Sequence, residues 1–414
     1  MGRFIVIGID DNPKSVERNL SQVVDKIAGA ALYTGGKRHY TLVKEYLAED
    51  AAWLDICVPL EPLFSKYDKA LKTGNVVVFA SGDPLFFGFA NTLKRKMPYA
   101  QMEVFPAFNS LQTLAHRLVM PYDDMHVVSL TGRPWHKFDE ALIERKTKIG
   151  ILTDKVHTPA AIASRAIKYG FSNYRTYVGE ALGGEREKIY NLTLEEAALF
   201  EPDGFVMPNC LIMERMDGCG IYKENHSRRF GIPQQEFALL NGRANMITKM
   251  PVRLLSLSML GLYGKTSLWD VGFCTGSVSV EAKMQFPHLY VNSFEIRGEC
   301  ASIMEENCIK FGVPGIVSHI GDFTAFNFDL MLKSGELLKP DAVFIGGHGG
   351  KLNEIMYIIS KYLLPQGIVV FNSVNDVSPF ETAARKNGFK IVEKVEITID
   401  NYNKITCCKA CKDR

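Results

Sequence analysis

Short apolar runs recur through the first half of the chain at Phe4 to Gly8, Val76 to Ala80, Val127 to Leu130, Lys148 to Thr153 and Tyr174 to Glu180. Runs of this length bounded by polar turns read as buried strands. Segments with helical spacing separate most of them, at Ser15 to Ala28, Leu85 to Lys96, Ser110 to Leu118 and Pro159 to Tyr169. The last opens on Thr158-Pro159, an N-cap followed by a first-turn proline. After Leu211-Ile-Met213 the pattern breaks, and the polar, glycine-containing stretch that follows predicts a linker over 216–229. A second series begins at Phe230, with a helix over Lys249 to Leu262 and strands at Ser267 to Asp270, Tyr290 to Glu295, Val317 to Gly321, Ala342 to Ile345, Ile368 to Asn372 and Lys390 to Ile399. Alternation of this kind predicts α/β architecture in two domains, 1–215 and 230–414, the second a doubly wound Rossmann-like sheet.

The 414 residues give each domain enough chain for its own core. Hydrophobic residues make up 47 % and charged ones 23 %, and the formal net charge is only +2. Disorder is not indicated, and a bulk attraction to nucleic acid or an anionic membrane is not expected. Met1-Gly-Arg-Phe-Ile-Val-Ile-Gly8 enters a strand pattern directly, unlike a signal peptide. No apolar stretch approaches the roughly 20 residues of a membrane span. A cytoplasmic location is expected. Nine cysteines without regular spacing fit reduced thiols. Cys408-x-x-Cys411 beside Cys407 lacks the second ligand pair of a zinc site, so no metal is expected.

Asp270-Val-Gly-Phe-Cys-Thr-Gly-Ser277 joins a strand to a helix, and Glu295 ends the next strand. That is the order of a nucleotide-cofactor turn, in which backbone N–H groups approach the ligand and an acid on the following strand receives two ribose hydroxyls. Cys274 stands where a dinucleotide turn has its middle glycine, and the bend is not built for a pyrophosphate. S-adenosylmethionine is therefore favoured over NAD, with an ordinary strand-to-helix turn as the competing reading.

In the first half, Val76 to Ala80 runs into Ser81-Gly82-Asp83-Pro84. Gly82 permits close backbone approach, Pro84 sets the entry to a helix, and Asp83 can cap it or face a ligand. Ser81 to Gly88, Gly35-Gly-Lys-Arg-His39, Pro106-Ala-Phe-Asn-Ser110, Ser129-Leu-Thr-Gly-Arg-Pro134 and Val178 to Arg186 follow one another in the order seen in tetrapyrrole methylases. The first half resembles the corrin-pathway branch of that family. The second half resembles the decarboxylating C15 methyltransferases of the same pathway, through Met246-Ile-Thr-Lys249, Asp270 to Ser279, Gly321-Asp322 and Ala342 to Gly350. Two departures stand out: Ile9-Asp-Asp-Asn-Pro13 replaces a glycine- and proline-rich loop, and Phe273-Cys274 replaces a small pair.

The resemblance implies a two-lobed tetrapyrrole methylase fold followed by a class I methyltransferase domain. It implies methylation of C5 and C15 of a precorrin or cobalt-precorrin macrocycle, with loss of the ring C acetate as carbon dioxide. In the first half, Gly82, Asp83, Pro84, Thr158 and Ala160 are the expected cofactor residues. In the second they are Gly272, Thr275, Gly276, Ser277, Glu295, Asp322 and Gly346. His348, whose ordinary pKa lies near neutrality, and Lys249 are the catalytic candidates. Because the macrocycle is a polycarboxylate, Lys37, Arg38, His39, Arg133, Arg243 and Arg253 are the candidate substrate-binding donors. A homo-oligomer is expected. The alternatives are a single C15 methyltransferase and decarboxylase with a non-catalytic N-terminal substrate-binding module, an NAD-dependent oxidoreductase, and a nucleic-acid methyltransferase, which would normally carry a basic stripe.

Overall fold

The computed structural model describes residues 2–201, 203–216, 228–243, 245–374, 376–399 and 404–412. Most of the linker expected over 216–229 lies outside these residues. The chain divides into two compact units, one made of Met1–Arg133, Thr147–Ser164 and Tyr174–Asp217, the other of Pro134–Lys146, Arg165–Asn173 and Gly218–Arg414.

The first unit contains two sheets. Strands β1 (Phe4–Ile9), β2 (Leu32–Gly35), β3 (Trp53–Asp55), β4 (Val76–Ser81) and β5 (Met102–Phe105) form a parallel sheet in the order β3-β2-β4-β1-β5. β1 and most of β4 are buried on both faces, which is why they read as unbroken apolar runs and not as alternation. Strands β6 (His126–Ser129), β7 (Lys148–Leu152), β8 (Tyr174–Glu180), β9 (Lys188–Thr193) and β10 (Asn209–Arg215) form a mixed sheet in the order β6-β7-β10-β8-β9. Only β6 and β7 pair parallel. β2, β3, β5 and β9 escape the sequence pattern because they are short or only half buried.

The second unit is built on one seven-stranded sheet. β11 (Ser267–Val271), β12 (Tyr290–Glu295), β13 (Ile316–Ile320), β14 (Ala342–Ile345), β15 (Ile368–Ser373), β16 (Phe389–Ile397) and β17 (Ile405–Lys412) run in the order β13-β12-β11-β14-β15-β17-β16. The first five strands in that order are parallel, and β17 lies antiparallel to both neighbours. The cysteine-rich tail is therefore an interior strand: Cys407 and Cys408 point to opposite faces and are both buried. With β11 central, the strand order reverses direction between β11 and β14, and the crevice at their carboxyl ends is where a doubly wound sheet binds ligands.

Candidate active sites

In the second unit, β11 ends on Asp270 and Val271, and Gly272 turns the chain with φ +77°. Cys274 also takes a left-handed conformation, φ +50°, the geometry that a glycine holds in the dinucleotide turn. Gly276 (φ +74°) then caps the buried helix Ser277–Gln285. Across the crevice β14 ends at Gly346-Gly347, and the Gly346 amide donates to the Val271 carbonyl at 2.8 Å. The approach is so close that a Cβ on Gly272 would lie 2.5 Å from the Gly347 nitrogen.

Two cavities meet at this contact, and Gly272, Gly347 and Arg297 line both. The smaller, about 330 Å³, is bounded by Glu295, Ile296, Asp322, Phe323, His348 and Lys351. The larger, about 630 Å³, is bounded by Lys249, Asp270, Phe273, Cys274, Thr275, Gly346 and Asn372. Together they have the size and the mixed apolar and polar lining of a small-molecule site.

Asp270 is 1 % exposed; its Oδ2 accepts from the Ser279 hydroxyl at 2.5 Å, and its Oδ1 has no partner. Burial pushes its carboxyl up to about 7, an effect the Ser279 hydrogen bond only partly offsets. The buried Thr275 hydroxyl is likewise without a partner. Buried polar groups are normally satisfied. Two orphaned oxygens on residues of one cavity wall are acceptors that an ammonium-bearing ligand completes, and these residues fit the amino-acid portion of S-adenosylmethionine.

Glu295 lies in the smaller cavity as expected, but its carboxylate is already engaged, chiefly by the Arg297 guanidinium at 2.8 and 3.0 Å. That pairing outweighs burial and keeps the Glu295 pKa below its usual value. Asp322 lines the same cavity, caps the following turn through the Thr324 amide at 2.9 Å, and is paired with Lys351. Lys249 is buried in the wall of the larger cavity, at the N-cap of the helix Met250–Leu260.

The remaining candidates of this unit lie apart from the larger cavity. Arg253 is fully buried and bound to Glu281, which is also fully buried, and to the carbonyls of Thr248 and Ile232. It is a core ion pair and cannot receive a substrate. His348 lines the smaller cavity, not the larger one that holds Lys249 and Gly346, and its Nδ1 accepts from the Gly350 amide at 3.2 Å. Gly276 and Ser277 form the helix start behind the wall and line neither cavity, and a Cβ on Gly276 would meet the Met304 sulfur. Arg243 is exposed and lines neither cavity. Arg297 and Asn372 are lining residues that sequence reading missed. Arg297 stands two residues past the acid that marks the ribose site, a position open to inspection.

In the first unit, the turn after β4 builds a cavity of about 440 Å³. Gly82 adopts φ +59° and donates to the Ile9 carbonyl at 2.8 Å, and a Cβ there would lie 2.9 Å from the Asn109 Cα. Asn109 heads a capping box with Gln112 at the start of Ser110–Leu118. Ser81 gathers the earlier motif: its hydroxyl lies 2.7 Å from Arg38 Nη2 and 2.9 Å from His39 Nε2. Arg38 also pairs with Asp11, so the departing loop Ile9 to Pro13 supplies both Asp11 on the cavity wall and Asn12, the cap of the helix Pro13–Ser21. Phe86, Phe87 and Phe108 supply aromatic walls, and the Arg133 guanidinium sits 5.4 Å from the centre of the Phe87 ring.

Asp83 accepts from the Leu85 amide at 2.8 Å and shapes the turn, so the helix starts at Phe89 and not at Leu85. Neither Asp83 nor Pro84 lines the cavity. Thr158 caps its helix through the Ala161 amide at 3.3 Å, Ala160 is buried, and neither lines the cavity. Lys37 is exposed outside it. His39 is not a cation: burial, reinforced by Arg38, lowers its pKa to about 4.

Residues 5–198 match the family of tetrapyrrole (corrin/porphyrin) methylases, and residues 241–388 match a precorrin methyltransferase domain. Over 351 residues, 84 % of this chain and 79 % of the relative, the chain is 32 % identical to a precorrin-6Y C(5,15)-methyltransferase [decarboxylating] of Sinorhizobium sp. Single-activity relatives match it separately. A cobalt-precorrin-7 C(5)-methyltransferase of Salmonella typhimurium is 29 % identical over 168 residues, 40 % of this chain and 80 % of that protein. A cobalt-precorrin-6B C(15)-methyltransferase (decarboxylating) of the same organism is 36 % identical over 135 residues, 33 % of this chain and 66 % of that protein. Through this similarity along most of its length, the chain belongs to the precorrin-6Y C(5,15)-methyltransferase (decarboxylating) family.

Proposed function

We propose that the chain carries two S-adenosylmethionine-dependent C-methyltransferase sites, acting on C5 of a precorrin macrocycle through the region 1–215 and on C15, with decarboxylation, through 230–414. The observation that carries this reading is the pair of orphaned buried oxygens, on Asp270 and Thr275, in a cavity that adjoins a second one walled by Glu295 and Asp322. When bound, the cofactor supplies an electrophilic methyl group on a sulfonium. Asp270 and Thr275 would hold its amino-acid end, and Glu295 and Asp322 its ribose and adenine.

The chain's own task is positioning. A carbon of the macrocycle gives an electron pair to the methyl carbon as the carbon–sulfur bond breaks, so no side-chain nucleophile is needed, only alignment at about 3 to 3.5 Å. For decarboxylation, the bond to the acetate carboxyl breaks with its electron pair drawn into the conjugated ring, and a proton then restores the methyl carbon. Lys249, buried in the wall of the larger cavity that Asp270 also lines, is the residue suited to hold the acetate and move that proton. In the first unit Arg38 on the cavity wall would meet a polycarboxylate, Arg133 lies outside the lining against the Phe87 ring, and the phenylalanine walls suit a flat conjugated ring.

The test is mass spectrometry of a precorrin or cobalt-precorrin substrate after incubation with the full chain and methyl donor. Two methyl groups gained with one carbon dioxide lost is the expected product. One methyl group gained together with the loss of carbon dioxide would instead indicate a non-catalytic first unit.

A further inference from the structure

The two oxygens of Glu295 already accept five hydrogen bonds. Oε1 receives the amides of Ile296 (3.0 Å) and Arg297 (3.2 Å) and Arg297 Nε (3.0 Å); Oε2 receives the Cys274 amide (3.0 Å) and Arg297 Nη2 (2.8 Å). A carboxylate offers about four lone-pair positions. A vicinal diol therefore cannot add two donors while the guanidinium stays. Three of the five donors are backbone amides fixed by the turns, and the two that can leave belong to one side chain. That side chain is about a third exposed, against 2 % for its partner, and it lines both cavities.

We propose that Arg297 is a latch that holds Glu295 in the ligand-free chain, gives way to the ribose diol of the adenosyl ligand, and turns into the larger cavity to pair with a substrate carboxylate. The inference rests on the cofactor reading above. It makes Arg297 a positioning residue with a thermodynamic signature. Opening the ion pair weakens binding of the adenosyl ligand, the freed guanidinium strengthens binding of the polycarboxylate, and the two ligands bind with positive cooperativity that is equal in both directions.

The full chain would be titrated calorimetrically with S-adenosylhomocysteine and, separately and together, with an octacarboxylate porphyrin. The site that disappears in Glu295→Gln identifies the second unit. At that site Arg297→Gln is expected to bind S-adenosylhomocysteine about tenfold more tightly, as a latch closed in about nine molecules of ten requires. In the unaltered chain S-adenosylhomocysteine should raise porphyrin affinity severalfold; in Arg297→Gln it should not, and Arg297→Lys should fall between. Unchanged or weaker binding of S-adenosylhomocysteine by Arg297→Gln, or an unaltered coupling to the porphyrin, overturns the latch and leaves Arg297 as a brace. If the unaltered chain shows no site sensitive to Glu295→Gln, the cofactor reading itself fails and the latch falls with it.

Discussion

Gly272 and Gly347 touch backbone to backbone at the floor shared by the two cavities of the second unit, with 2.5 Å between the Gly347 nitrogen and the place a Gly272 Cβ would take. The neighbour is main chain and cannot rotate away. Gly272 also holds φ +77°, which a side chain adopts only under strain. Gly272→Ala is accordingly expected to lower stability by about 2 kcal/mol or more. The same change should abolish S-adenosylhomocysteine binding at one of two sites, read by denaturant unfolding and calorimetry on the same sample.

Asp270 gives a pH dependence whose sign follows from its burial. Its carboxyl titrates at about 7 in the folded chain against an ordinary value of 3.8, so between these the folded state holds a proton that the unfolded state has lost. Stability from this group is present below about pH 4 and lost as pH rises through about 7. Asp270→Asn removes the titration, and its melting temperature should exceed that of the unaltered chain by a margin that grows from pH 5 to pH 8. The second unit's affinity for S-adenosylmethionine should move the opposite way, weakening in the unaltered chain below about pH 7 and being weak at every pH in the variant.

Arg253 and Glu281 form a core ion pair with neither side chain exposed. Removing one partner leaves a buried charge, so Arg253→Met should cost about 3–5 kcal/mol in unfolding measurements. Among molecules that remain folded, affinity for the porphyrin should be unchanged. A selective loss of that affinity without a loss of stability would restore Arg253 as a substrate contact.

In the first unit Arg38, not His39, carries the charge. Arg38→Gln should raise KM for the first methylation severalfold and leave the second untouched, as separate quantitation of the two methylated products would report. His39 stays neutral above about pH 5, because burial has lowered its pKa to about 4. His39→Gln should therefore leave the shape of the first reaction's pH profile between 6 and 8 unchanged. The buried imidazole does affect folding. The unfolded chain takes up a proton that the folded chain refuses between pH 6.5 and 4, so stability falls on acidification through that window, and the fall should be smaller in the variant.

By itself the sequence determined the alternation of strands and helices, the two cofactor-type turns and the acid that ends β12, since these depend on local periodicity, glycine conformations and caps carried by neighbouring residues. β12 and β14 fall at Tyr290–Glu295 and Ala342–Ile345, as their apolar runs predict. Tertiary structure alone decided what each charged or thiol-bearing side chain meets. Arg253 found Glu281 across the core, and the cysteine-rich tail entered the sheet between β15 and β16. The reason is that charge burial and strand insertion depend on partners far along the chain: Arg253 and Glu281 lie 28 residues apart. No window of adjacent residues contains both members of such a pair.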